Sequence, residues 1–273
     1  MDTTIGGLFI VWLEIAIASV VGYLLGSISF TGLALRFFAS EEQRAEIQHP
    51  STQVGEDSHE PILGAYTTNR VWGARVGITI AFLDMLKVAL PMWIFKVYLY
   101  PTEYYYLIVS VAGVIGHNWP IYFRFKGGRG VSAIFASFFV IDWLGPIALP
   151  FLSAILGLFV LRSVGLAYFG SSFLMFPWLW FRTGDPVLLL WVLAVNLVMY
   201  TSMVPDLRAG KRIREEKGEA EAEEAMDALL PGTRGMRKAL DRIEGLGNGK
   251  YALAIFGAII LILVFWFLPL LPF

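Results

Sequence analysis

From residue 251 to 273 the chain carries no charged side chain, and from 5 to 35 it carries only Glu14. At about 1.5 Å per residue, each run is long enough to cross roughly 30 Å of bilayer hydrocarbon. In that solvent every backbone polar group has to be satisfied within the protein, so runs of this kind fold as helices. Composition agrees, with 57% hydrophobic and only 16% charged among 273 residues, where an ordinary soluble domain carries about 25% charged. A soluble globule is excluded. The absence of cysteine rules out disulfides, a thiol nucleophile and Cys-ligated metal, and His49, His59 and His117 offer no convincing all-His site. No metal and no cofactor are therefore expected. A formal net charge of -1 argues against a nucleic-acid partner.

Further spans are predicted over 76–95, interrupted only by Asp84 and Lys87 at i,i+3, and over 104–123, 144–161, 164–181 and 186–204. Between Val131 and Asp142 the apolar run is too short for an ordinary crossing and reads as a short, tilted or broken helix. The fold class predicted is thus all-α, a polytopic membrane helix bundle with about eight transmembrane helices. The basic residues orient it. With the N-terminus outside, every Lys and Arg except Lys87, Lys96 and Arg182 falls in a cytoplasmic loop, which is the asymmetry the positive-inside rule demands. Both termini come out extracytoplasmic. The Met1 end lacks a basic n-region and its apolar run is too long for a signal peptide, so it is expected to stay as a helix.

Residues 205–250 differ in kind, with ten acidic residues balancing ten basic ones and a Pro231-Gly-Thr-Arg-Gly break. Such a stretch reads as solvated helices. The domain organisation expected is a seven-helix membrane domain at 1–204, a charged cytoplasmic connector at 205–250, and an additional C-terminal transmembrane helix at 251–273.

The most informative string is Gly116-His-Asn-Trp-Pro-Ile-Tyr-Phe-Arg-Phe-Lys-Gly-Gly-Arg-Gly-Val131. Gly127, Gly128 and Gly130 let the backbone aim N–H groups at one point, Lys126 and Arg129 add cations, and a helix N-terminus follows. Such a loop suits phosphate. A tight interfacial turn whose Lys and Arg snorkel and set topology is the plainer alternative. The spacing is not that of a Walker loop, so nucleotide hydrolysis is not indicated. His117 could act as a base near neutral pH, but beside Asn118 and Trp119 it reads better as an interfacial hydrogen-bonding group.

This string resembles a signature of the bacterial acyl-phosphate:glycerol-3-phosphate acyltransferases, the PlsY family, at Gly116, His117, Pro120, Phe125, Lys126, Gly127, Gly128, Gly130 and Val131, with Arg129 standing where the family has Lys. Gly26-Ser27-Ile28, Thr68-Asn69 and Asp84-Met-Leu-Lys87 are similar to other family segments in the same order. The resemblance implies a multispanning enzyme of the bacterial cytoplasmic membrane. It would transfer a fatty acyl group from acyl-phosphate to the sn-1 hydroxyl of glycerol-3-phosphate, giving lysophosphatidic acid and inorganic phosphate. It also implies catalytic roles for Ser51 and Lys126, substrate binding by Ser27, Asn69, His117, Gly127, Gly128, Arg129 and Gly130, and membrane lipids or other anionic headgroups as partners. The donor's own phosphate, rather than a Ser-His-Asp triad, is expected to help deprotonate the acceptor.

Three stretches depart from the family's pattern. Its Gly-Ser-Gly-Asn is not intact, with relics at Ser51-Thr-Gln-Val-Gly55 or Ser58; Ser-Leu-Ala-Ser is replaced by Gly165-Leu-Ala-Tyr168; and His-Arg-Glu-Asn-Ile is replaced by Arg208-Ala-Gly-Lys-Arg212. Two readings follow, an acyltransferase of divergent specificity or a catalytically eroded relative serving as a subunit of a larger membrane complex. In the second, 205–273 would be the docking element for other membrane subunits.

Overall fold

The computed structural model of the chain describes residues 2–43, 65–229 and 232–270. Every regular element among the described residues is helical, in agreement with the predicted class. Among the described residues five helices are long and apolar enough to cross a membrane, and shorter apolar ones occupy Val131–Ile141 and Leu144–Val160. The helices divide into two compact units, one of residues 1–140 and 197–213 and one of 141–196 and 214–273.

In the first unit α1 (Asp2–Gly26) packs along α5 (Tyr105–Asn118). Glycines make the approach possible: a Cβ on Gly26 would meet the Gly113 backbone, and one on Gly116 would meet the Tyr23 carbonyl and Ser27. Close approach through small residues is the usual basis of helix association in lipid, where apolar burial no longer discriminates. Midway along α1, Glu14 accepts a hydrogen bond from the Tyr105 hydroxyl at the start of α5 at 2.7 Å, so the lone carboxylate of the first span has a partner on the neighbouring helix.

The stretch 5–35 is not one helix. It breaks at Ser27-Ile28-Ser29, and α2 (Phe30–Phe38) starts anew with Ser29 as its N-cap, accepting from Gly32 N–H at 3.0 Å. Then come α3 (Ala65–Trp72) and α4 (Ala74–Ile94), separated by Gly73 at φ +81. α4 contains Pro91 and relaxes into a wide π-type turn, Phe95–Leu99, as expected where a proline removes a backbone donor. α6 (Val131–Ile141) has 11 residues. That is about 16 Å of helix, well short of the hydrocarbon thickness, as the sequence suggested.

The second unit contains α7 (Leu144–Ala154), which ends in a π-type turn, Ile155–Val160, and α8 (Val164–Thr183). They pack at Gly157 and Gly170, and Ser153 donates to the Leu166 carbonyl at 2.8 Å. At the other end Asp142 and Arg182 form a two-point ion pair at 3.1 and 3.2 Å, and Trp178 Nε1 also donates to Asp142 at 2.5 Å. The paired side chains are each 1% exposed, so their mutual satisfaction is what makes the charges tolerable there.

α9 (Pro186–Lys217) is capped by Asp185, and its residues 197–213 belong to the first unit. It continues through Pro205, farther than the predicted end at 204, so the charged segment begins as an extension of a span. α10 (Glu219–Leu229), α11 (Thr233–Glu244) and α12 (Gly249–Phe267) complete the second unit. α11 is amphipathic. Its Ile243 joins a cluster with Leu158 and Ala167, with Met236, Ala239 and Leu240 packed against it. At its end Glu244 meets Lys250 at 2.7 Å and Arg162 at 3.3 Å. The Lys250 hydrogen bond first, and the charges of Lys250 and Arg162 after it, hold the Glu244 carboxyl below its ordinary range against an opposing desolvation.

Candidate active site

The string of glycines and cations folds onto the C-terminal end of α5. The helix closes when Trp119 N–H bonds the Ile115 carbonyl at 2.8 Å, and Pro120 leads into a short 3-10 turn, Ile121–Phe123. Arg124 and Phe125 follow at φ 55 and 62, a left-handed conformation uncommon outside glycine. Phe125 N–H bonds the Pro120 carbonyl and Lys126 N–H the Phe123 carbonyl, at 2.9 and 3.1 Å. This tight reversal sends 127–130 back across the helix end.

The glycines are required by contact as much as by backbone freedom. A Cβ on Gly127 would strike the His117 carbonyl and the Pro120 ring, and one on Gly128 would strike the His117 imidazole, Nε2 foremost. Only Gly130, at φ +77, needs glycine for its conformation, and a Cβ there would also lie 2.7 Å from Asn118 Oδ1. Gly128 N–H donates to the His117 carbonyl at 3.1 Å, so this N–H of the loop is spent within the fold. α6 begins directly after Gly130, whose carbonyl accepts from Ile134 N–H.

The two loop cations have different surroundings. Lys126 is exposed beside the exposed Arg124. Arg129 is only partly exposed and grips Asp206 of α9 through Nε and a terminal nitrogen at 2.5 and 2.6 Å, while its carbonyl accepts from the Ser202 hydroxyl at 3.3 Å. This two-point contact fixes the loop to α9. Asp206 is the functional neighbour that sequence reasoning missed. A lone acidic residue after Pro205 was its only signal, because a pairing across 77 positions leaves no local trace.

Beneath the loop lies a buried polar cluster. Lys87 pairs with Asp84 at 2.8 Å and donates to the Ile28 carbonyl at 2.6 Å, at the break between α1 and α2. His117 Nδ1 faces Asp84 at 4.0 Å. His117 Nδ1, Asn118 Oδ1 and Thr31 Oγ1 are buried with no hydrogen-bond partner among the described residues, an arrangement that native proteins rarely leave without a purpose.

Of the residues predicted for the site, His117, Gly127, Gly128, Arg129 and Gly130 are brought together. Ser27 is buried next to Gly116, its hydroxyl donating to the Tyr23 carbonyl at 2.7 Å. Asn69 is exposed on α3 behind the buried Thr68. Ser51 lies outside the described residues, as does the alternative Ser58. No three His, Cys, Asp or Glu side chains among the described residues converge as metal ligands.

A family model described as glycerol-3-phosphate acyltransferase matches residues 16–207. The glycerol-3-phosphate acyltransferase of Mycoplasma mycoides subsp. mycoides SC is 34% identical over 143 residues, covering 50% of this chain and 51% of that protein. That of Pasteurella multocida is 34% identical over 123 residues, covering 45% of this chain and 55% of that one. The chain spans about half the length of the curated relatives it matches. Among solved structures, the glycerol 3-phosphate form of PlsY, an integral membrane glycerol 3-phosphate acyltransferase, is similar at TM-score 0.56 and 24% identity, covering 71% of this chain and 90% of that one. The lysophosphatidic acid form gives TM-score 0.56 at 22% identity with the same coverage. At those identities the structural likeness speaks to the fold: a multi-pass, all-helical membrane protein.

Proposed function

Since this chain belongs to the glycerol-3-phosphate acyltransferase family, we propose that it transfers a fatty acyl group from acyl-phosphate to the sn-1 hydroxyl of glycerol-3-phosphate at the cytoplasmic face of a bacterial inner membrane. The observation that carries this reading is the glycine loop, held on the end of α5 by contacts that leave no room for a side chain at Gly127 or Gly128. A loop so fixed is preorganised, which is where most electrostatic catalysis originates.

In the proposed reaction the acceptor hydroxyl oxygen attacks the acyl carbonyl carbon. The ester bond forms as the carbon–oxygen bond to the donor phosphate breaks, and the hydroxyl proton leaves on the inorganic phosphate. Lys126 and the backbone of Gly127, Arg129 and Gly130 hold phosphate, and Lys126 offsets charge developing on the donor. Gly128 provides the close packing that sets the loop's height over His117, which with Asn118 lines the floor. Ser27 and Asn69 take part from the α1–α2 break and from α3, and Ser51 completes the set from the first cytoplasmic loop. The family match and the relatives' names support this reading over that of a subunit without chemistry. Eight crossings, both termini outside and the connector inside remain the topology we propose, with 251–273 as an added span.

The test is direct. Purified protein incubated with palmitoyl-phosphate and labelled glycerol-3-phosphate releases labelled lysophosphatidic acid, and Lys126→Ala abolishes it. No product from the wild-type protein overturns the proposal.

A further inference from the structure

Asp84 and Lys87 take no part in the chemistry proposed above, yet both are buried in an apolar helix, 3% and 9% exposed. An ion pair removed from water is a poor source of stability, since apolar residues of similar volume often serve as well. Ionisable groups inside a membrane span are rare and tend to be tied to function. The contacts of this pair give it a task. Lys87 reaches out of α4 to the Ile28 carbonyl, the backbone acceptor exposed by the break between α1 and α2. Asp84 faces His117 Nδ1. The opposite edge of the same imidazole, Nε2, lies where a side chain on Gly128 would be, and the His117 carbonyl holds Gly128 N–H.

We infer that Asp84 and Lys87 are positioning residues for the anion loop, setting the orientation of His117 and thereby the height of Gly128 while tying the α2 N-terminus to the same frame. The inference rests on the transferase reading for its kinetic form. Neither residue touches substrate. Lys87 fixes one side of the frame by a charge-assisted bond to a carbonyl, and the Asp84 carboxyl, 4.0 Å from Nδ1, biases the ring's orientation by its packing and polarity rather than by a hydrogen bond. The link from imidazole to loop is steric, so a ring that turns displaces Gly128, and small displacements of a substrate-holding group are costly to a reaction.

The experiment replaces both charges at once, Asp84→Leu with Lys87→Met, so that neither is left unpaired. Three quantities are read: thermal midpoint, KM and kcat for glycerol-3-phosphate, and amide exchange across 127–131. The expected result is a thermal midpoint close to wild type, KM raised about tenfold or more with kcat changed less than about threefold, and faster exchange in the loop. A lowered midpoint with unchanged KM and exchange makes the pair structural only and overturns the inference. Should the double variant fail to fold, Lys87→Arg and Lys87→Gln decide: Arg preserves KM and Gln raises it, and equal KM values overturn the inference. If the wild-type protein makes no lysophosphatidic acid, the transferase reading fails by itself. Loop exchange and equilibrium binding of inorganic phosphate then judge the pair, and unchanged values in the double variant refute it.

Discussion

Gly128→Ala puts the sharpest demand on the site as described. The added methyl would sit 3.0 and 3.1 Å from His117 Cδ2 and Cε1 and still closer to Nε2. The ring is 6% exposed, with Asp84 on its far side and Gly128 N–H fixed to the His117 carbonyl, so neither partner can swing clear cheaply. Overpacking of this kind costs about 1–3 kcal/mol. The loop, anchored less firmly than a helix, gives way first, and a shift of about 1 Å in a substrate-holding group can cost on the order of a hundredfold in rate. The assay is a double-mutant cycle with His117→Ala, read both as thermal midpoint in detergent and as kcat/KM for lysophosphatidic acid formation. His117→Ala removes the obstructing ring, so the two substitutions are expected to be strongly non-additive in stability, with a coupling of about 0.5–3 kcal/mol. Activity is not expected to return, because the proposed site has His117 in its floor. Additive stability effects, or a Gly128→Ala protein as stable as wild type, would refute the packing argument.

Asp142→Ala removes the buried carboxylate that pairs with Arg182 and accepts from the Trp178 N–H; it is expected to cost about 3–5 kcal/mol, seen as a fall in thermal midpoint, with little loss in Asp142→Leu/Arg182→Met. Asp206→Asn loosens Arg129 where the pair is partly exposed, at 26% and 13%, so stability should fall by about 1 kcal/mol or less while KM for glycerol-3-phosphate rises; an unchanged KM would show that loop anchoring to α9 does not matter. Glu244 has its carboxyl held below the ordinary range, so its contribution is present above the unfolded carboxylate pKa and is lost as pH falls through the folded one. Protease cleavage between α11 and α12 should therefore increase in acid below the ordinary carboxylate range, and Lys250→Met should erase most of that dependence.

The apolar runs announced where the helices lie because the bilayer imposes one rule on every spanning segment, although the run 5–35 breaks at Ser27-Ile28-Ser29 and the helix predicted over 104–123 ends at Asn118. What was hidden is what depends on partners far away in sequence. Asp142 read as the residue that stops a short helix, and its role as counter-ion to Arg182, 40 positions on, has no local periodicity. Pro205 read as the end of a span, yet α9 runs through it to Lys217. The glycine loop was legible as a string, although the reason for two of its glycines was not: contact with His117 and Pro120 is a tertiary fact, whereas the left-handed φ of Gly130 is the local requirement that sequence reasoning assumes. Asp84 and Lys87 were visible as an i,i+3 pair, but nothing in their spacing pointed to Ile28 or His117.

The glycine seam between α1 and α5 joins main chain to main chain. Side-chain contacts can loosen by exchanging rotamers as temperature or lipid fluidity changes, but a seam of this composition has almost no rotamers to exchange. α1 and α5 should therefore behave as a stiff spine across growth conditions, with changes in membrane thickness taken up at softer joints such as Pro91 and the wide turn after it. A spine of this kind keeps the end of α5, and the loop built on it, steady while the surrounding bilayer changes.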